Sequence, residues 1–253
     1  MATNVPQVVA MPHVVLVHGF LDNARGWDAL GSQLTKAGYS CTSVDLRGAG
    51  QLRHSDGAYT LFQATADVLG VVYKIAGDVV LIGHSMGAQI AELAASELPK
   101  KVTGLVLITP TPLGGNKLPD TVRAVLREAG DNVHAQQEIR RSFAKNMTAE
   151  QIRDLTDPEV IMGKAAVQGY YDAFTSGHPR GAKPSAYEHP TLIIGAEEDP
   201  VIAPDMVRQI RETRFPAAHL SMILKSGHWP HLEQAESCAA EIFRFLTRLG
   251  YTN

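Results

Sequence analysis

The chain of 253 residues is poor in cysteine, has no long apolar run and carries no surplus of either charge. Two cysteines, Cys41 and Cys238, cannot build a disulfide framework, and their flanks lack the spacing of a metal knuckle. Cys41 sits in an apolar run and Cys238 in a helical pattern, so both read as small core hydrophobes. No stretch approaches the roughly 18 consecutive apolar residues of a membrane span. Lysine and arginine number 23 against 26 acidic residues, a net charge of −3, which offers no footprint for nucleic acid or an anionic membrane. Residues 1–12 lack a basic segment followed by an apolar one, so no secretory signal is expected and a cytoplasmic, reducing setting is the default expectation.

Hydrophobic residues make up 45% and charged residues 19%, enough apolar material to bury a large core and too little charge for disorder. Short apolar runs at 14–17, 41–44, 79–82, 105–108, 192–194 and 220–224 alternate with longer amphipathic segments. Most of these runs show no polar alternation, as expected of strands covered on both faces of a parallel sheet. Helical patterns occupy 27–37, ending at Gly38, 61–75, ending near Gly77, and 86–98, stopped by Pro99. A last helix over about 234–249 sets Ala239, Ile242, Phe243, Leu246 and Leu249 on one stripe. The reading is an α/β fold with a doubly wound, mostly parallel sheet.

The alternation breaks between 113 and 190, where helix signals replace strands. Thr148 with Gln151 makes a capping box, and Asp157-Pro158 reads as an N-cap and first-turn proline leading into a helix over 159–174. Residues 113–190 are therefore expected to be an inserted helical cap, with 1–112 and 191–253 forming the core.

The strongest local signal is Gly83-His84-Ser85-Met86-Gly87, a G-x-S-x-G sequence between a strand and a helix. Side chains at Gly83 or Gly87 would crowd the turn, and the helix N-terminus below Ser85 favours a developing anion. A serine hydroxyl needs a base and an orienting acid. Asp199 follows the run at 192–194 and His228 follows the run at 220–224. Strand ends in such a sheet share one edge, so Ser85, Asp199 and His228 are expected to meet there. Phe20, in His18-Gly19-Phe20 after the first strand, could join Met86 in offering backbone N–H groups to an oxyanion, with Gly19 permitting close approach.

These pieces, together with Asp45-Leu46-Arg47-Gly48-Ala49-Gly50, residues 195–204 and Gly227-His228, make the chain resemble the α/β-hydrolase fold family across nearly all of its length outside the cap. The resemblance implies Ser85 as nucleophile, His228 as base, Asp199 as orienting acid, and Phe20 and Met86 as oxyanion donors. It favours Asp199 over Glu197 and Glu198 by its place after Gly195, and it assigns Asp45–Gly50 a structural turn. Few residues precede the first strand, so the family's usual N-terminal antiparallel hairpin is expected to be short or missing, as in the compact plant-type esterase and hydroxynitrile-lyase branch.

His84 is expected to pack rather than react, and His231, without an accompanying carboxylate or cysteine cluster, is not expected to bind metal. Candidate pocket residues are His18, Gly19, Trp27, Tyr170, Tyr171, Phe174 and Trp229. With no charged cluster aimed inward, the expected function is a serine hydrolase acting, without cofactor, on a small to medium, mostly apolar ester or lactone. Carbon–carbon hydrolysis, cyanohydrin cleavage, perhydrolysis and non-catalytic ligand binding are the alternatives on the same residues. Cyanohydrin cleavage would need an added cation near Ser85, and no residue stands out for that role. Oligomeric state is left open.

Overall fold

Valine, isoleucine and leucine dominate the runs that become strands, and they enter one sheet covered on both sides. The structure, a computed structural model, describes residues 10–251. Its strands are β1 (His13–Val17), β2 (Ser40–Val44), β3 (Val79–His84), β4 (Val102–Ile108), β5 (Thr191–Ala196) and β6 (His219–Ile223). They lie in the order β2-β1-β3-β4-β5-β6, and every pairing is parallel. The chain winds outward from β1 to β2, then reverses and builds the other half from β3. The carboxyl ends of β1 and β3 thus flank the point where the winding direction changes, the place where such sheets open a crevice.

Alternate residues of each strand feed opposite faces. Val15, Val17, Leu81, Leu105, Leu107 and Ile193 pack with α2 (Leu61–Lys74), α3 (Met86–Glu97) and α8 (Pro204–Arg214). Val14, Leu16, Val80, Ile82, Val106 and Ile194 pack with α1 (Asp28–Lys36) and α10 (Ala235–Arg248). Gly38 takes φ +89° just past α1, as a C′ glycine does. On α10 the buried stripe comprises Cys238, Ala239, Ile242, Phe245 and Leu246, while Phe243 and Leu249 are only half-buried. Cys41 is half-buried rather than a core residue, because β2 is an edge strand whose burial is incomplete. The sheet contains no antiparallel strand among the described residues; residues 1–9 lie outside them.

Between β4 and β5 stand four α-helices, a short 3-10 helix (Pro179–Ala182) and no strand among the described residues: the α-helices are α4 (Asp120–Arg127), α5 (Val133–Phe143), α6 (Ala149–Leu155) and α7 (Lys164–Ser176). Thr148 and Gln151 form the expected reciprocal capping box on α6. The expected helix start at Asp157-Pro158 is not observed. Asp157 instead makes a local turn, its Oδ1 accepting from Glu159 N–H at 2.9 Å, and Gly163 caps α7. A helix there would need carbonyls that are bound elsewhere: Val160 O accepts from Gly50 N–H and Met162 O from Asp131 N–H. No helix among the described residues is long and apolar enough to cross a membrane.

Candidate active site

Ser85 occupies the junction of β3 and α3 with φ +54° and ψ −118°, a region non-glycine residues rarely adopt. The surroundings hold it there. A Cβ on Gly83 would fall 2.3 Å from Gly87 O, and one on Gly87 would fall 2.3 Å from Val17 O, so only glycine permits strand and helix to meet this closely. Ser85 N–H donates to Ile108 O at 3.0 Å, tying the turn to β4.

The loop after β6 brings His228 Nε2 to 3.0 Å from Ser85 Oγ. The loop after β5 brings Asp199 Oδ2 to 2.8 Å from His228 Nδ1. A carboxylate on Nδ1 fixes the ring proton there and leaves Nε2 to accept from the serine hydroxyl. Asp199 Oδ1 is held in turn by the N–H groups of Val201 and Ile202. Burial works against the charge on the His228 ring, but the Asp199 carboxylate, with Asp22 and Glu233 adding to it, outweighs burial and lifts the histidine pKa above its ordinary value. Burial also opposes ionisation of Asp199, and His228 with the two backbone donors overcomes it, so that carboxyl lies below its ordinary range. Glu197 and Glu198 are exposed; Glu198 pairs with Lys145 at 2.7 Å and Glu197 accepts from Lys225 N–H.

The His228 backbone is held as firmly as its ring. Its N–H donates to Phe143 O at 3.0 Å, and its carbonyl accepts from His84 Nε2 at 2.8 Å and Thr109 Oγ1 at 3.1 Å. Glu233, on the short helix α9 (Pro230–Glu233), accepts from the N–H groups of Gly227 and Trp229 on either side of His228. The same carboxylate accepts from the N–H groups of Lys145 and Asn146 beyond α5.

Met86 opens α3, so its N–H has no intrahelical acceptor. Among the described residues, neither it nor Phe20 N–H donates to a backbone carbonyl outside the regular elements. Gly19 lies beside the nucleophile, since a Cβ there would stand 3.1 Å from Ser85 Cβ. A narrow cavity reaches Ser85 and His228. Phe20, Leu21, Leu118, Leu126, Ile139, Phe174 and Val201 supply apolar wall, Thr111, Asn116 and Arg140 polar wall, and Phe143 and Trp229 the rest. Thr111 Oγ1 is 3.4 Å from Ser85 Oγ.

Other pocket candidates are placed elsewhere. Trp27 is fully buried in the α1–α10 core, its ring stacked on His231 at 4.4 Å. Tyr170 packs edge-on against Tyr59, away from the cavity. Tyr171 forms a second layer behind Phe20 and Phe174. His18 is buried with Nε2 accepting from Leu46 N–H, bracing the turn at Asp45–Gly50. That turn is built on Asp45, whose carboxylate accepts from the N–H groups of Ala24 and Gln51. His84 is buried, and burial holds its pKa below the ordinary value. Among the described residues no cluster of three or more His, Cys, Asp or Glu is arranged to hold a metal.

The structure also brings in charged groups that sequence reasoning passed over. Arg140 is fully buried in the cavity wall, 2.9 Å from Asp22 Oδ1, contrary to the expectation of no inward charge. Asp22 Oδ2 accepts from Trp229 Nε1 at 2.8 Å and lies 3.5 Å from His84 Nδ1. Burial opposes the Asp22 charge, but His84, Arg140 and Trp229 hold that carboxyl far below its ordinary pKa. A signal was present: Gln136, Ile139, Arg140 and Phe143 follow the spacing of an inward helix stripe, with two polar residues among them.

The sequence profile of the Alpha/beta hydrolase family matches residues 14–241, and the chain belongs to that family. It is 27% identical to the sn-1-specific diacylglycerol lipase ABHD11 of Xenopus tropicalis, over 93% of this chain and 78% of that protein. The fold is shared with an esterase from Exiguobacterium antarcticum, with a TM-score of 0.82, 21% identity and coverage of 94% and 92%. It is shared equally with a bromoperoxidase from Bacillus anthracis, with a TM-score of 0.84, 19% identity and the same coverage.

Proposed function

We propose that the chain is a serine hydrolase of small to medium, mostly apolar carboxylic esters or lactones, with residues 113–190 acting as a cap over the sheet edge. The observation that carries this reading is the pair of contacts at 3.0 Å and 2.8 Å joining Ser85, His228 and Asp199 at the end of a mostly apolar cavity. His228 takes the Ser85 proton as the oxygen attacks the ester carbonyl. The N–H groups of Phe20 and Met86 receive the oxyanion, a contribution of about 3–4 kcal/mol per donor in the protease where it was measured. The alkoxide leaves with the proton from His228. Water, deprotonated by the same ring, then releases the acid from Ser85.

The lipase and esterase among the similar proteins support ester chemistry. The wall supports an uncharged substrate, because Arg140, the one lysine or arginine in it among the described residues, is balanced by Asp22. For the same reason Arg140 does not supply the free cation that cyanohydrin cleavage would call for.

The test is turnover of a chain-length series of p-nitrophenyl esters by wild type and Ser85→Ala. The expected result is hydrolysis favouring short to medium acyl groups, lost with Ser85. Absence of turnover in the folded wild type, or preferred cleavage of long-chain triglyceride emulsions, contradicts the reading.

A further inference from the structure

The turn that carries Phe20 is under strain. Asp22 N–H closes it onto Gly19 O at 3.3 Å, leaving Phe20 and Leu21 as its central residues. Leu21 takes φ +64° at the third position of this turn, where glycine is the residue without penalty. A leucine stays there only if something outside the turn holds it.

That grip comes from α5. Arg140 Nη2 donates to Leu21 O and, at 2.9 Å, to Asp22 Oδ1, so one guanidinium grasps the strained carbonyl and the side chain next to it. Arg140 Nη1 donates to Gln136 O on its own helix, which fixes the guanidinium from behind. Three residues further along the same helix, Phe143 O accepts the His228 N–H. Asp22 completes the circuit by accepting from Trp229 Nε1, beside His228. A single turn of α5 therefore holds both the loop that carries Phe20 and the loop that carries His228.

We propose that Arg140 is a positioning residue for the oxyanion site: the last turn of α5 sets the strained Gly19–Asp22 turn at the register that aims Phe20 N–H at the developing charge. The cap helix then assembles the reacting groups as well as walling the pocket. This inference rests on the reading of Ser85 as nucleophile and of Phe20 and Met86 as oxyanion donors.

The experiment compares wild type, Arg140→Lys, and the double variant Asp22→Asn with Arg140→Met. Lysine keeps a charge beside Asp22 but lacks the rigid planar guanidinium whose second nitrogen is held by Gln136 O, whereas the double variant removes both charges and leaves no unpaired ion. Folding is checked by thermal melting. Readouts are kcat and KM for the best p-nitrophenyl ester and inhibition by two probes of the same shape. One is a trifluoromethyl ketone, which forms a tetrahedral adduct with the serine; the other is an ether that binds without reacting.

The expected result for whichever variant folds is a fall in kcat of about 30-fold or more, in line with a weakened oxyanion contact. KM and ether affinity stay within about threefold, and trifluoromethyl ketone affinity falls in step with kcat. Unchanged kcat in a folded variant overturns the inference and leaves the function intact. Equal weakening of KM and of both probes also overturns it, because Arg140 would then be only pocket wall. Absence of Ser85-dependent turnover in the wild type overturns the functional reading and this inference with it.

Discussion

A histidine that accepts the Ser85 proton must be neutral first, so activity should follow the titration of His228. The Asp199 carboxylate lifts the pKa of that ring above its ordinary value near 6.5 despite burial. The neutral base is therefore lost as pH falls through a value higher than 6.5, and kcat/KM should drop about tenfold per unit below it. Asp199→Asn removes the lifting charge and the tautomer lock together. It should move the acid limb to lower pH and reduce kcat by orders of magnitude, about 10⁴ in the protease where this was measured. Rate profiles from pH 5 to 9 on both proteins check this. A flat wild-type profile, or near-normal turnover in Asp199→Asn, would remove His228 and Asp199 from their roles.

Among the elements, the short helix α9 ties the His228 loop to the segment beyond α5 through one carboxylate. Glu233 accepts four backbone N–H groups at 2.6–3.0 Å, two flanking His228 and two beyond α5. Glutamine offers one acceptor oxygen in place of two and turns a donor toward a donor. Glu233→Gln should thus cost about 1.5–3 kcal/mol, the worth of a hydrogen bond to a charged group, read as a lower denaturant midpoint at unchanged slope. A midpoint equal to wild type would mean that the clamp does not hold in solution. The strands and helices α1, α2, α3 and α10 were legible in the sequence because each follows a local rule: uninterrupted Val, Ile and Leu for buried strands, an apolar stripe for α10, and glycine or proline after α1 and α3; α8 was not read. The start of α7 was not legible. Asp157-Pro158 carries a valid local signal, but Gly50, far away in the sequence, captures the Val160 carbonyl. Arg140 was hidden for a related reason, since its partner Asp22 is 118 residues distant and only the fold joins them.

Across the whole molecule, the rear of the site buries a set of histidines against the core. His231 stacks on Trp27, its Nδ1 has no hydrogen-bond partner among the described residues, and burial with His84 nearby pushes its pKa well below 6.5. His84 and His18 are also depressed, chiefly by burial. A depressed histidine binds fewer protons in the folded state than in the unfolded chain. Its effect on stability is absent above the unfolded pKa and grows unfavourable as pH falls below about 6.5, by at most about 1.4 kcal/mol per unit for each ring. His231→Phe keeps the stack and removes the titration. Its Tm should fall less than that of wild type between pH 7.5 and 5.5; equal falls would show that His231 does not govern acid stability.

The fold at this scale was readable from the alternation of strand and helix, and the meeting of Ser85, Asp199 and His228 was readable because strand ends of such a sheet share an edge. The cavity wall was less so: Trp27 and Tyr170 carry aromatic signals that serve packing, while Leu118, Ile139 and Val201 look like any core residue until the four helices between β4 and β5 are in place.

The most direct test of the central claim is labelling of the folded protein with an alkyl fluorophosphonate, followed by intact-mass and peptide mass analysis. Attack by an activated serine displaces fluoride and leaves a phosphonyl group on the enzyme. The account predicts one adduct per chain, on the peptide containing Ser85, and far slower labelling when His228 is replaced by alanine. An unlabelled folded protein, or an adduct on any other residue, would contradict it.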